Sequence, residues 1–235
     1  MKTLLKLLKW DLLLQVRYNI VTIALIISLL YILLIKSIPV DNLDPLLMLC
    51  VLSDPTMFGV LFVGVLVLYE KDSNTLNALI VTPIKSWQYL WSKAITLTTI
   101  AVPIALAISI VGHGIDIKYI YLLLSVILSS VMFVFLGFAI VTSSKGFNQF
   151  VIKFAVFTIP VSIPILALFD LVESNLFYII PSQATILLLK AGFNYSITTW
   201  QVLYSITYLL IWLLFSLYLA EKAYNRNLLN GKRDE

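Results

Sequence analysis

The chain has 235 residues, of which 61% are apolar and only 12% are charged, and its mean hydropathy is +1.01. A soluble domain usually carries about twice that charged fraction, and a soluble core of this length could not enclose so much apolar surface. The composition therefore excludes a single soluble globular domain and predicts an all-α integral membrane protein. The net charge of +4 bears on membrane orientation and gives no reason to expect a nucleic-acid partner.

Six stretches are long and apolar enough, or nearly so, to cross a membrane as helices. They are 19–38, 46–69, 94–111, 119–141, 154–169 and 200–220. The fifth is short and contains Pro160 and Pro164, which predict a kinked or broken helix. The chain shows no internal repeat and no soluble linker, so residues 1–235 are expected to form one membrane domain.

Positive residues are concentrated on one side of these six spans. The four segments on that side carry 4, 3, 2 and 4 Lys or Arg residues, whereas the opposite side carries only Lys36, Lys118 and Lys190. The positive-inside rule then places both termini in the cytoplasm. The Ile-, Leu-, Lys- and Asn-rich composition suits the cell membrane of a prokaryote, so we expect a multi-pass protein there.

Two segments outside the spans are expected to be helical. Residues 1–18 predict a helix in the cytoplasmic interface, and the alternative is an extension of the first span. Its apolar face is formed by Leu4, Leu5, Leu8, Leu12 and Val16.

The second such segment, 170–199, contains the apolar run 176–192, with Pro181 near its start and Gly192 as a stop signal. A run too short to span is typical of a re-entrant or interfacial helix, here on the outer side.

The residues needed for catalysis or metal binding are missing. His113 is the single histidine, in a Gly-His-Gly turn where we expect a solvated side chain, and Cys50 is the single cysteine. No GxxxxGK[ST] pattern is present. We therefore expect no catalytic residue, no metal site, no bound cofactor and no ATP hydrolysis by the chain itself.

Asp54 and Pro55 admit two interpretations. If the second helix is continuous from Leu46, Asp54 is a buried charge and a functional group by default. If the helix begins at Pro55, the aspartate is an N-cap followed by proline at the first helical position. The pair is thus a helix cap or part of a transport pathway, and the first is favoured.

The cytoplasmic connection 70–93 is polar where it leaves the membrane and then places Leu76, Leu79, Ile80 and Pro83 at helical spacing. This pattern predicts a short amphipathic helix that ends at Thr82-Pro83. The apolar face of such a helix must be covered, either by the membrane surface or by a groove on a cytoplasmic subunit.

The same stretch resembles a known family. Glu70-Lys71-Asp72, Thr75-Leu76, Leu79, Val81-Thr82-Pro83 and Lys93 are similar to the pattern after the second span in type-2 permeases of ATP-binding-cassette (ABC) exporters. Asp54-Pro55, ahead of an apolar helix that ends in Leu68-Tyr69-Glu70-Lys71, resembles the fluoroquinolone-export permease group. Asn74 and Asn77 depart from the family, which often has Gly and Glu there.

The resemblance implies the membrane subunit of an exporter for a hydrophobic or amphipathic drug, lipid or peptide. A separate ABC ATPase would bind ATP and magnesium, and a second permease chain, identical or similar, would complete the pore within membrane lipid. Segment 70–93 would transmit the ATPase movement to the spans. The implied coupling residues are Glu70, Asp72, Thr75, Leu76, Leu79, Ile80, Thr82, Pro83 and Lys93. The alternative is a non-transporting membrane accessory or immunity protein that binds a partner through the same loop.

Overall fold

A computed structural model describes residues 2–38, 43–53, 58–73, 75–76, 84–172 and 174–226. Within these ranges the regular structure is helical, without a β-strand. The helices are α1 (Lys2–Arg17), α2 (Ile20–Ser37), α3 (Asp44–Leu52), α4 (Phe58–Asp72), α5 (Ser86–His113), α6 (Tyr119–Thr142), α7 (Phe147–Ser162), the 3₁₀ helices η1 (Ile163–Phe169) and η2 (Asn175–Ile179), α8 (Pro181–Gly192) and α9 (Thr199–Tyr224).

Five described stretches are long and apolar enough to cross a membrane, namely α2, α5, α6, α7 together with η1, and α9. The chain is accordingly a multi-pass membrane protein. The remaining predicted span, 46–69, falls on α3 and α4. The cap assigned to Asp54 and Pro55 lies between these two helices, outside the described residues.

Helix α6 forms the centre of the bundle. In its most apolar stretch 72% of the residues are buried, against 22% in α2 and 17% in both α7–η1 and α9. Helices α4, α5, α8 and α9 pack around α6. Because lipid is itself an apolar solvent, the outer helices leave large aliphatic side chains exposed without loss of stability.

Two prolines accompany a change of helix type in the fifth predicted span. Helix α7 ends at Ser162, just after Pro160, and a 3₁₀ helix with Pro164 in its first turn continues the chain to Phe169. Proline lacks the N–H that an α-helical hydrogen bond requires, so a break at this point follows from the sequence.

Helix α1 buries a polar face. Leu7, Asp11 and Gln15 point into the bundle, whereas the predicted apolar face is largely exposed, with Leu5 at 63% and Val16 at 62%. The sequence therefore predicted the helix correctly but suggested nothing of its buried side. An apolar outer face on a helix whose Asp11 and Gln15 side chains hydrogen-bond to α5 suits a position between bundle and lipid.

Helix α8 returns into the bundle. Ser182 Oγ donates a hydrogen bond to the carbonyl of Val161 at 2.5 Å, and the amide of Lys118, at the start of α6, donates to the carbonyl of Gly192 at 2.9 Å. Between these two contacts, Ser125 Oγ of α6 donates a hydrogen bond to the carbonyl of Thr185 in α8 at 3.1 Å. The seven residue-to-residue steps from Thr185 to Gly192 rise by about 10 Å.

We call the end of the bundle formed by residues 114–118 and 192–198 the far end, and the opposite end, which holds α1, the near end. Helix α8 begins inside the bundle and ends at the far end. This course matches the short helix predicted within 176–192.

Gly137 allows α6 and α4 to approach closely. A Cβ atom built on Gly137 would lie 2.7 Å from the Cα atom and 2.9 Å from the carbonyl oxygen of Val60. Both atoms belong to the backbone of α4 and cannot rotate away. Small residues at helix crossings are a common means of close packing in membranes.

We predict that Gly137→Ala forces these helices apart and lowers the free energy of unfolding by about 1–3 kcal/mol. Thermal unfolding of the purified protein in detergent measures the loss. Gly146→Ala is the matched control, because a Cβ atom there meets nothing within 4 Å. Equal melting temperatures for the two variants would contradict the close contact.

Candidate functional site

An ion network lies at the near end of the bundle, where the chain leaves α4 and re-enters as α5. Lys93 Nζ lies 2.9 Å from Asp11 Oδ1 and 2.6 Å from Glu70 Oε1. The side chains are 1%, 7% and 4% exposed, respectively. One ammonium group therefore joins α1, α4 and α5.

Hydroxyl groups of α5 satisfy the remaining carboxylate oxygens. Tyr89 donates a hydrogen bond to Glu70 Oε2, and Ser92 donates one to Asp11 Oδ2. The Lys93 ammonium also lies 4.7 Å from the centroid of the Tyr89 ring. Since buried carboxylates are tolerated only when hydrogen-bonded and paired, these donors complete the network.

The contact between α1 and α5 continues one turn further. Gln15 Nε2 donates to Thr96 Oγ1 at 2.8 Å, and Thr96 Oγ1 donates to the carbonyl of Ser92 at 2.9 Å. Gln15 and Thr96 are both almost fully buried. Helix α1 is thus held to α5 by side-chain bonds over two turns.

Aromatic rings connect the network to the rest of the bundle. The ring centroid of Tyr89 lies 5.7 Å from that of Phe138 in α6 and 5.7 Å from that of Tyr224 in α9. Tyr18, just after α1, stacks on Tyr69 at 4.3 Å with nearly parallel planes. Such ring pairs add stability beyond the area that they bury.

The network carries one negative charge in excess, because two carboxylates share one ammonium. Taking these charges out of water costs several kcal/mol per ion, which their mutual attraction must repay. Separation of α5 would leave two buried carboxylates without a counter-ion. The ammonium of Lys93 is therefore the group that joins the three helices.

The structure brings together two of the coupling residues that the sequence resemblance implied, Glu70 and Lys93. Leu76 is also buried, at 2% exposed, while Asp72 and Thr75 are exposed to solvent. The other members of that set, Leu79, Ile80, Thr82 and Pro83, lie outside the described residues.

Sequence reasoning missed Asp11, Gln15, Tyr89 and Ser92 as members of this site. One signal was available: Asp11 is the single acidic residue in a Leu- and Lys-rich helix. Tyr89 and Ser92 resemble ordinary polar residues at the start of a span. Only the folded arrangement shows that they face Glu70 and Asp11.

His113 departs from the solvated role expected of it. Its Nδ1 lies 2.6 Å from Asp44 Oδ1, at the start of α3, and its ring packs edge-on against Phe193. The side chain is only 20% exposed. His113 therefore ties α5 to α3 and to the end of α8. Within the described parts of the chain, no group of three or more His, Cys, Asp or Glu side chains could hold a metal ion.

Comparison with known proteins identifies the family. The model of the Fluoroquinolones export permease protein family matches residues 2–232. The chain belongs to this family. Two similar relatives are the proteins named Fluoroquinolones export permease protein from Mycobacterium tuberculosis strains CDC 1551 / Oshkosh and ATCC 25618 / H37Rv. Each is 30% identical over 207 residues, which cover 86% of both sequences.

No solved structure matches the chain. The family match and the apolar helices together make this protein a membrane permease of an export system. The match extends over α1, α4 and α5, so the ion network lies within the family region.

We predict that Lys93→Met strongly destabilises the permease, because two carboxylates then face each other without a counter-ion. The expected loss is about 3–5 kcal/mol, the typical cost of breaking a buried ion pair. Thermal unfolding in detergent measures it. Lys145→Met, at an exposed lysine of the same end, should have little effect.

Adding Asp11→Asn and Glu70→Gln to Lys93→Met should recover part of the loss, because the buried negative charges are then removed together with their partner. A triple variant less stable than Lys93→Met alone would contradict the ion network as the source of the effect.

Proposed function

We propose that this permease is the membrane subunit of an ABC-2-type exporter and that the ion network couples it to a separate ATPase. The observation that carries the proposal is the position of Lys93. Its ammonium holds together Glu70, where the chain leaves α4, and Asp11 of α1. The segment between α4 and α5 contains the sequence pattern that resembles the coupling element of such exporters.

In this mechanism the near end faces the cytoplasm, as the distribution of Lys and Arg indicates. Two ATPase subunits lie beneath two permease chains. ATP binding brings the ATPase subunits together and pushes on segment 70–93. Because Lys93 is bound both to Glu70 and to Asp11, the push moves α1, α4 and α5 as one unit.

The ATPase subunits supply the ATP and magnesium chemistry, and this chain supplies the path through the membrane. We propose that stretch 46–69, with α3 and α4, provides the sixth crossing. The substrate is proposed to be a hydrophobic or amphipathic compound that moves along the interface of two permease chains. The fluoroquinolones in the names of the relatives belong to this class of compound.

Isolation of the permease in mild detergent from its native membrane tests the partner directly. We expect a stoichiometric protein with a phosphate-binding loop to co-purify, with ATP hydrolysis that vanadate inhibits. Recovery of the permease alone, under conditions that preserve other ABC complexes, would contradict the proposal and favour a non-transporting accessory protein.

Two variants separate docking from transmission. Leu79→Asp should reduce the amount of co-purified ATPase, because a charge on the apolar face that the sequence predicts for segment 70–93 opposes docking. Glu70→Gln should leave the ATPase bound while it reduces transport by about tenfold, since the loss of one charged contact of about 1.4 kcal/mol changes an equilibrium by that factor.

Transport is measured as ATP-dependent substrate accumulation in inverted vesicles. Asp116→Asn is the control for Glu70→Gln, since Asp116 is an exposed carboxylate outside segment 70–93. If Glu70→Gln and Leu79→Asp both leave ATPase association and transport intact, segment 70–93 is not the coupling element.

A further inference from the structure

A groove of about 540 Å³ lies between α5 and α6. Ile95, Thr99 and Pro103 of its lining are exposed, so the groove faces the lipid. None of its eight lining residues is charged, which suits an uncharged occupant. They are Trp91, Ile95, Thr98, Thr99, Val102 and Pro103 of α5, with Ile127 and Val131 of α6.

Thr99 lies near the middle of α5. The helix runs from Ser86 to His113, so Thr99 is 13 residues after its first residue and 14 before its last. At 1.5 Å per residue, Thr99 is about 20 Å from either end. The hydrocarbon core of a bilayer is about 30 Å thick. Thr99 therefore lies deep within it, where neither water nor a lipid headgroup supplies hydrogen bonds.

Pro103 leaves a backbone acceptor in the groove. In an unbroken α-helix the N–H of residue 103 donates to the carbonyl of residue 99. Proline has no N–H, and its ring pushes that carbonyl away from the helix axis. Because Thr99 and Pro103 both line the groove, the freed carbonyl oxygen of Thr99 lies at its wall.

The neighbouring hydroxyl groups do not satisfy this carbonyl, as Ser and Thr side chains can do beside a proline in a membrane helix. Thr99 Oγ1 donates its one hydrogen to the carbonyl of Ile95 at 2.7 Å. Thr98 Oγ1 donates to Ser130 Oγ at 3.1 Å. Both threonine oxygens then retain only the capacity to accept. The middle of the groove consequently presents hydrogen-bond acceptors.

Trp91 bounds the groove toward the near end. Its indole N–H is the one remaining donor among the described side chains of the lining. Trp91 is eight residues, or about 12 Å, from Thr99 along α5, too far to donate to the Thr99 carbonyl. Its ring packs edge-on against Phe135 of α6, with 5.3 Å between the ring centroids. Trp91 is thus a fixed aromatic ring beside the groove.

The acceptors favour one kind of occupant over lipid. A lipid tail has no hydrogen-bond donor, so it would leave the Thr99 carbonyl unpaired inside hydrocarbon, which costs free energy. An apolar molecule with one N–H or O–H would recover that free energy. Hydrogen-bond complementarity therefore points to a small compound that carries a donor.

We propose that this groove binds, from the lipid, an uncharged apolar compound with an N–H or O–H group, and that this group donates to the carbonyl of Thr99. The identity of the compound as an export substrate rests on the proposed function, whereas its binding needs no ATPase. A binding measurement on the permease alone therefore separates a failure of this proposal from a failure of the proposed function.

Two dyes that differ in one donor test the proposal. N-phenyl-1-naphthylamine has one N–H, and its N-methyl derivative has none. Each dye is titrated into lipid nanodiscs, with its partition into empty nanodiscs subtracted. The permease retains Trp91 as its single tryptophan, so that saturable energy transfer from Trp91 to the dye reports binding. The other tryptophans are removed by Trp10→Phe, Trp87→Phe, Trp200→Phe and Trp212→Phe.

We expect the dye with the N–H to bind about fivefold more tightly, the factor that one hydrogen bond provides. Pro103→Ala supplies the missing N–H, so the carbonyl of Thr99 is bonded within the helix. The preference should then disappear, while the affinity for the N-methyl dye stays unchanged. Pro160→Ala is the matched control and should retain the preference, because Pro160 is a helix-interior proline that does not line the groove.

Three results would overturn the proposal. The first is equal affinity of the two dyes for the permease that has Pro103. The second is quenching of Trp91 that rises linearly with either dye, which would mean that lipid fills the groove. The third is an equal loss of affinity for both dyes in Pro103→Ala, because the shape of the groove rather than the carbonyl would then decide binding.

Discussion

The ammonium group of Lys93, held between two carboxylates inside a protein that is otherwise apolar, is the interaction on which the near end depends. Helix α1 buries Asp11 and Gln15 beside the apolar contacts of Leu7 and Leu14. The polar part of its attachment is electrostatic and directional. Apolar packing tolerates sliding, whereas charged hydrogen bonds at 2.6–2.9 Å fix the register of the helices that they join.

The membrane explains why the polarity of these helices is arranged as it is. In water, the apolar face of α1 would turn inward and its charges outward. Here the apolar face is largely exposed, as a lipid solvent allows, and the protein interior supplies partners for Asp11. Helix α8 also has polar contacts within the protein: its Ser182 hydroxyl donates to the Val161 carbonyl of α7, and its last carbonyl accepts a bond from the Lys118 amide at the start of α6.

Much of this architecture could be predicted from the sequence. Lipid requires long apolar stretches in the helices that cross it, and such stretches are visible in the sequence. Residues 1–18, five of the six apolar runs, the proline break near 160 and the short helix before Gly192 correspond to described elements. The family could be identified from the residues around Glu70. These features depend on composition and local spacing, which a single sequence contains.

The partners of Glu70 could not be predicted in the same way. Asp11 lies 59 residues earlier in the chain and Lys93 lies 23 residues later, so their proximity depends on how α1 packs against α5. The hydropathy pattern of α1 also gave no indication of which face the bundle buries. The exposed apolar side chains of this helix outnumber the buried Leu7, Asp11 and Gln15. Likewise, nothing near Gly112 in the sequence indicates that His113 reaches Asp44.

The close contact at Gly137 has a mechanical consequence for α4. Because backbone meets backbone at Val60, the first turn of α4 acts as a fixed pivot, while Glu70 lies ten residues, or about 15 Å, further along the helix. A tilt of about 10° at the pivot would carry Glu70 roughly 3 Å, given that rise per residue. That displacement equals the length of a hydrogen bond, so even a small swing of α4 must either release Lys93 or take α1 and α5 with it.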